Sequence, residues 1–243
     1  MIEELTIPQI VEKSGLQHIA FIMDGNRRWA KQQKMPTAVG HKKGVSSLKK
    51  VVKLANEWNI KYITVYAFST ENWKRSEEEV SFLMNLLYKT LQNEIEEMLK
   101  ENVKIRIIGD LEPLDKKLRQ ILENSMEKSS ENTGVNLQIA INYGARHEIV
   151  QAVQKIAQKI ENNELKSQEI TENTIEENLY TAGIPAPDLL VRTGGESRIS
   201  NYLLWQIAYS EILITEKYWP EYNKEEFAKN IKEFASRSRR FGK

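Results

Sequence analysis

A single α/β domain, with a central, mostly parallel sheet of about six strands flanked by helices, follows from three observations. Six short apolar runs recur along the 243 residues, helix-period segments separate them, and the strand ends gather turn-forming and charged side chains. The runs are "HIAFIM", "YITVYAFS", "VKIRIIGD", "VNLQIAINYG", "DLLVRTGG" and "EILITEKYW". Each is continuously apolar or alternates with period two, as strands do when one or both faces are covered. Between them lie "GVSSLKKVVKLANEWN", "SEEEVSFLMNLLYKTLQNEIEEMLKEN" and "ARHEIVQAVQKIAQKIEN", whose apolar residues recur at helical spacing. Strands alternating with helices build βαβ units.

Boundary chemistry agrees with this division. Ser76 with Glu79, and Thr174 with Glu177, have capping-box spacing. Residues 26–31 read as a helix opened by Arg27 and Arg28, "NYLLWQIAYS" as another, and "KEEFAKNIKEFASRSRRFGK" as a charged amphipathic helix with a basic tail. "KIENNELKSQEITENT" reads as a surface excursion within one domain, because no Pro/Gly/Ser linker, repeat or low-complexity block interrupts the chain. Residues 1–17 form an acidic N-terminal extension and 18–243 the domain proper.

Composition excludes several function classes. Net charge is +1, which offers no global field for nucleic acid. The chain has no cysteine, so disulfides and thiolate metal sites are excluded and a reducing cytoplasm is expected. The start "MIEELTIPQIVEKSG" lacks the basic-then-apolar pattern of a signal peptide, and no apolar run reaches the length of a membrane span.

The strand ends carry the chemistry. Of 34 acidic residues only Asp24, Asp110, Asp115 and Asp188 are aspartate, and Asp24 and Asp110 each follow a strand. In an open parallel sheet the ligand crevice lies beyond the carboxyl ends of the strands. Those ends bring together Asp24, Asn26, Ser69, Glu71, Asn72, Asn142 and Arg192. Turn preference alone explains about half of these residues, and it does not explain the arginines. Arg27 and Arg28 open a helix, Arg75 follows "ENWK", and Arg192 closes the apolar run "DLLV" before Gly194 and Gly195. Arg198 follows in the same stretch. Guanidinium groups, a Gly-Gly pair able to form a backbone nest, and helix starts are equipment for phosphate.

Two such clusters suggest two phosphate-bearing substrates or one diphosphate held at both ends. Neither G-x-x-x-x-G-K-[ST] nor a strand-following G-x-G-x-x-G occurs, which disfavours nucleotides. Asp24 among arginines suggests Mg²⁺, which takes one or two carboxylates plus substrate phosphates, and Glu211 is an available second acid. His18, His41 and His147 are too dispersed for a zinc site, and His41 reads by default as a loop residue. The helix from Ser76 carries an apolar stripe from Val80 to Ile95 too wide in its first half for one-sided packing. It is either a central core helix, or its spare apolar face lines a hydrophobic cavity, a tunnel beside the sheet, or a partner interface.

"MDGNRRWAK", "YAFSTENWKR", "IIGD", "NYGARHEI", "DLLVRTGGESRISNYLLWQIAYSE" and "RSRRFG" occur in the order seen in cis-prenyltransferases, which this chain resembles from His18 onward. The resemblance is greatest to the bacterial enzymes that make undecaprenyl diphosphate. It implies extension of an allylic diphosphate, typically farnesyl diphosphate, by successive cis additions of isopentenyl diphosphate. The product would be a long-chain polyprenyl diphosphate, the lipid carrier precursor for cell-wall synthesis. By resemblance, Asp24 is the essential aspartate that handles Mg²⁺ and the diphosphate. Gly25, Asn26, Arg27, Arg28 and Trp29 cradle the allylic diphosphate with His41 assisting.

Ser69, Thr70, Glu71, Trp73 and Arg75 close over the reacting centre, and Asn72 holds the position proposed to assist deprotonation. Arg192, Arg198, Ile199 and Ser200 match the isopentenyl diphosphate site, and Glu211 a metal-associated residue acting across a homodimer interface. Arg27, where many members have glycine, and Thr37, where some have arginine, depart from the pattern, as do Ala145 and Lys243. Leu137, Ile139 and the Ser76 helix are candidates for the tunnel floor. Transient membrane contact during product release is a further expectation. A non-catalytic partner subunit of a heteromeric prenyltransferase, or a lipid-diphosphate carrier without turnover, are the competing readings.

Overall fold

The computed structural model describes residues 5–237. All six apolar runs are strands: β1 His18–Ile22, β2 Tyr62–Ser69, β3 Lys104–Ile108, β4 Asn136–Tyr143, β5 Leu189–Thr193 and β6 Glu211–Thr215. They form one sheet in the order β3-β4-β2-β1-β5-β6, and every pairing is parallel. Parallel strands need covering on both faces, and β1 and β5 are buried at every residue. Alternate residues therefore feed two cores. Ile19 and Phe21 join the larger, with Trp219, Phe227 and Ile231, while Ala20 and Ile22 join the smaller, with Tyr143, Tyr202 and Leu203.

Around the sheet lie α1 (Ile7–Ser14), α2 (Asn26–Gln32), α3 (Thr37–Glu57), α4 (Glu77–Lys100), α5 (Lys116–Lys128), α6 (Ala145–Glu161), α7 (Glu172–Glu176) and α8 (Lys224–Ser236). Four departures from the sequence reading have physical causes. The extension before His18 contains α1, whose Ile10 and Val11 are buried in the larger core. Helix α3 begins seven residues before the periodic segment, at Thr37 behind Pro36, so His41 is helical rather than in a loop. Gly40 and Gly44 hide that start from a propensity reading, and both are needed. A Cβ at Gly40 would lie 2.1 Å from Asn26 O, and one at Gly44 would lie 2.4 Å from Asn26 Oδ1.

Thr171, not Thr174, caps α7, its hydroxyl accepting from Thr174 N at 3.3 Å. "NYLLWQIAYS" is a run of turns and not a helix, with Ser200, Asn201 and Leu203 at positive φ (50°, 59° and 47°). Its backbone is drawn off by α6, because Asn201 O and Oδ1 accept from Ala145 N and Arg146 N at 2.9 Å each. Ser76 caps α4 as its spacing predicts, accepting from Glu79 N at 3.3 Å. Apart from Arg237, the basic tail lies outside the described residues.

Candidate active site

At the carboxyl end of β1 the chain turns through Asp24 and Gly25 into α2. Gly25 has φ 101°, and a Cβ there would lie 2.5 Å from the Tyr218 ring, so glycine is required twice over. Asp24 Oδ1 accepts from Gly25 N at 2.6 Å. Its Oδ2 meets Arg192 Nη2 at 2.7 Å and Arg28 Nη2 at 3.2 Å. Burial alone would raise the Asp24 pKa, but the Arg192 hydrogen bond and the two guanidinium charges hold it below the ordinary carboxylate value. Asp24 is therefore a stable anion within a cationic rim.

Arg192 is 4% exposed. Its Nη1 donates to Arg198 O and, at 2.9 Å, to Ser200 Oγ, so one guanidinium ties β5 to both the Asp24 turn and the loop at 198–200. Arg28 stands 5.3 Å over the Tyr218 ring and pairs with Glu196 at 3.0 Å, and Glu196 also pairs with Arg198 at 2.6 Å. Sequence reasoning singles out neither Tyr218 nor Glu196, although the aromatic run after β6 marks the first. Gly194 and Gly195 do not form the expected nest. Their N–H groups donate to Lys217 O and Thr215 O, and no helix follows them. Gly194 instead leaves room for Arg28, whose Nη2 would lie 2.6 Å from a Cβ there.

The segment after β2 is a 3-10 helix, Thr70–Lys74. Asn72 Oδ1 accepts from Ser69 N at 3.1 Å, which leaves its amide N–H groups as the end able to meet a ligand. Trp73 Nε1 donates to Asn142 Oδ1 at 2.7 Å, and Asn142 Nδ2 donates to Asp110 O at 2.8 Å. Arg75 and Arg27 both face Glu79, at 2.8 and 3.5 Å. His41, 6.2 Å from the Phe82 ring, has a buried Nε2 with no partner. Burial first, then the Arg75 and Arg27 charges, lower its pKa to about 4 despite Glu79, so the ring is neutral at pH 7.

The carboxyl end of the sheet opens on a cavity of about 1280 Å³. It brings together Asp24, Gly25, Asn26, Arg27, Arg28, His41, Ser69, Glu71, Asn72, Arg75, Arg192, Arg198 and Ser200. Trp29, Thr70, Trp73, Ile199 and Leu137 do not line it, whereas Ile139 does. Glu211 stands apart in the single chain. It opens β6 at the amino end of the sheet, in register with Leu189, and pairs with Arg237 at 2.8 Å.

Beyond the rim the wall is apolar: Leu83, Met84, Leu86, Leu87, Leu91 and Met98 of α4 face the same space. Of the α4 side chains described, Leu91 and Met98 are buried and Met84, Leu87, Tyr88 and Leu99 are half-buried against the larger core, so α4 is a cavity wall and a core helix at once. The volume exceeds the roughly 300–1,000 Å³ of small-ligand pockets.

An Mg²⁺ ion is compatible with the donor set. Asp24 is ionised, and 30% of its side chain is exposed at the cavity. Among the described residues no three His, Asp or Glu groups gather into a protein-only cage. Mg²⁺ does not need one, because it keeps waters and shares substrate phosphate oxygens.

A ring of guanidinium groups round one carboxylate opens into a cavity with an apolar wall, an arrangement suited to a ligand with an anionic head and an apolar tail. A family model described as "Putative undecaprenyl diphosphate synthase" matches residues 22–242. An isoprenyl transferase of Bacillus cereus is 47% identical over 226 residues, 93% of this chain and 88% of that protein. One of Agrobacterium fabrum is 44% identical over 97% of this chain and 96% of its own length. Among solved structures, lavandulyl diphosphate synthase from Lavandula x intermedia, in complex with dimethylallyl diphosphate, superposes with TM-score 0.92 at 34% identity. That match covers 95% of this chain and all of the other. A probable undecaprenyl diphosphate synthase from Campylobacter jejuni gives 0.80 at 37% identity, covering 94% and 99%. The chain belongs to this isoprenyl transferase family, whose work is cis-prenyl chain elongation.

Proposed function

We propose that this protein condenses isopentenyl diphosphate stepwise, in cis, onto an allylic diphosphate, farnesyl diphosphate being the primer expected. The product is a long polyprenyl diphosphate of undecaprenyl type, the precursor of the cell-wall lipid carrier. The observation that carries this reading is a single cavity with a cationic rim at Asp24, Arg28 and Arg192 and an apolar wall along α4. The head of the allylic substrate sits at the Asp24 turn and its tail runs along α4. Arg192, Arg198 and Ser200 hold isopentenyl diphosphate beside it.

Arg28 and Arg192 stabilise charge on the departing diphosphate as the new carbon–carbon bond forms, the kind of preorganised stabilisation that enzymes rely on most. Charge-assisted hydrogen bonds of this sort contribute roughly 1.5–3 kcal/mol each. Asp24 would hold Mg²⁺, which when bound supplies further positive charge to the leaving group. Asn72 has its Oδ1 committed to Ser69 N, so it orients substrate by donation. The proton leaving the isopentenyl unit then passes to a diphosphate oxygen.

Each added isoprene buries five carbons, up to about 4 kcal/mol at roughly 0.8 kcal/mol per carbon, so release of the long product limits turnover. Residues 25–56 carry nine basic and no acidic side chains. Lys49 and Lys53 are answered by Glu94, Glu97 and Glu101, while Lys31, Lys34, Lys42 and Lys43 are exposed beside Met35 and Val39. That mixed basic and apolar surface at the cavity mouth supports peripheral membrane contact during release. Glu211, distant from Asp24 in its own chain, acts in a homodimer.

The test is incubation with farnesyl diphosphate, labelled isopentenyl diphosphate and Mg²⁺, followed by chromatographic sizing. Wild-type protein is expected to make long products. Asp24→Ala is expected to lose at least a hundredfold in rate. Equal incorporation by the two would overturn the role given to Asp24, and no incorporation by wild type would favour a non-catalytic subunit.

A further inference from the structure

Three segments meet at Gly144: the 3-10 turn after β2, the start of α6 and the loop at 198–203. A Cβ at Gly144 would lie 2.5 Å from Thr70 Oγ1 and 2.9 Å from Asn201 Nδ2, so only glycine lets them close on one another. Asn201 occupies the junction. Its O and Oδ1 take the first two N–H groups of α6, at 2.9 Å each, and cap a helix whose own N-cap residue is Gly144. Its remaining polar end, Nδ2, donates to Glu71 Oε1 at 2.8 Å. Ser200, Asn201 and Leu203 all hold left-handed backbone without being glycine. Such conformations persist only when the surroundings over-determine them. The neighbouring Ser200 is fixed in turn by Arg192.

We propose that Asn201 is a positioning residue: its bond to Glu71 latches the segment that closes over the allylic site to the loop that holds isopentenyl diphosphate. The latch holds the 198–203 loop, and with it the isopentenyl diphosphate site, against the segment after β2. This rests on the assignment of Arg198 and Ser200 to isopentenyl diphosphate in the proposed function. Glu71 is a charged partner. Burial would raise its pKa, but hydrogen bonds led by that from Asn201 hold it below the ordinary value. An aspartate in place of Asn201 would keep the cap on α6, where a negative charge suits the helix start, and would set two carboxylates against each other.

The experiment is a double-mutant cycle of N201D and E71Q, reading KM for each substrate, kcat, and binding of labelled isopentenyl diphosphate by equilibrium dialysis. In the Glu71 background, N201D is expected to raise KM and Kd for isopentenyl diphosphate at least tenfold, with the KM for the allylic primer changed less than threefold. In the E71Q background a glutamine amide can donate to the introduced carboxylate, and the same substitution should cost less than twofold. A background-independent penalty, or none, overturns the latch. So does a fall in Tm caused by N201D that E71Q fails to reverse, because that marks a purely structural role. Wild-type protein unable to incorporate isopentenyl diphosphate would sink the proposed function and this inference together, whereas an active wild type with unaltered N201D kinetics sinks this inference alone.

Discussion

At the amino ends of the strands, Asp188 Oδ2 accepts from Gln17 N and His18 N at 2.8 and 3.0 Å. The His18 ring sits between Pro185 O at 2.6 Å and Thr64 Oγ1 at 2.7 Å, and Thr64 donates to Gln138 Oε1 at 2.5 Å. At the carboxyl ends another aspartate, another histidine and an asparagine face a cavity, and Asn26 Oδ1, His41 Nε2 and Arg192 Nε are buried without a partner. Similar side chains thus serve opposite ends of one sheet. The amino end consumes its polar atoms in joining β1, β2 and β4 to the 185–188 segment. The carboxyl end leaves polar atoms unpartnered, and an unpartnered buried polar atom costs free energy that a ligand can recover. The difference teaches that residue type does not mark the site here, and neither does unspent hydrogen-bonding capacity alone, since Arg119 Nε, Tyr202 Oη and Gln206 Oε1 are also buried without a partner. Unspent capacity on the cavity wall beside guanidinium groups does.

Three changes should break or sharpen that contrast. The largest is Arg192→Ala, which removes the guanidinium joining Asp24 to the 198–200 loop. The expected loss in kcat/KM is roughly 10²–10³, the scale for one preorganised charge-stabilising group. Steady-state kinetics with labelled isopentenyl diphosphate would show it, and a loss under tenfold would place Arg192 with the structural end.

Second, His18→Ala should cost roughly 1–3 kcal/mol of stability, the scale of leaving buried polar partners unsatisfied, with little change in kcat. The cost should depend on pH. Burial lowers the His18 pKa to about 4, against 6.5 for the unperturbed group. Between those values the unfolded chain binds more protons, so stability falls as pH drops from about 6.5 toward 4 and is unaffected by this group above. The gap between wild type and variant in urea unfolding should therefore narrow at pH 5 relative to pH 7.5. A constant gap would mean that His18 does not titrate in this way.

The smallest effect is expected from Arg27→Ala. Arg27 has a 60% exposed side chain and a 3.5 Å pair with Glu79, and exposed pairs contribute about 0–1 kcal/mol. Primer KM should change by no more than about fivefold; a larger change would move Arg27 into the grip on the diphosphate.

The strands were legible because continuous apolar runs report burial on both faces without reference to the rest of the chain. Arg192 was legible for the same reason, as a charge closing such a run. Other features depended on contacts between distant segments. The early start of α3 hides behind Gly40 and Gly44, which exist to admit Asn26. The turns at 200–209 carry an apolar pattern that suits a helix, but α6 claims the backbone. The Gly194–Gly195 pair suggested a phosphate nest, yet its donors are spent on Thr215 O at the end of β6 and Lys217 O just beyond it. Tyr218 under Arg28 could not be read from spacing, because the loop that carries it returns from β6.

Helix α4 forms one wall of the cavity, and only Leu91 and Met98 of its described side chains are buried. Leu83 and Leu86 line the cavity without joining either core, whereas Met84, Leu87, Leu91 and Met98 serve the cavity wall and the larger core together. Under the proposed function, Leu83 and Leu86 are the wall positions where exchange for larger or smaller side chains costs folding least. On that reading, drift at those two positions of one helix would retune the size of the product, while the ionic chemistry at the strand ends stays as it is.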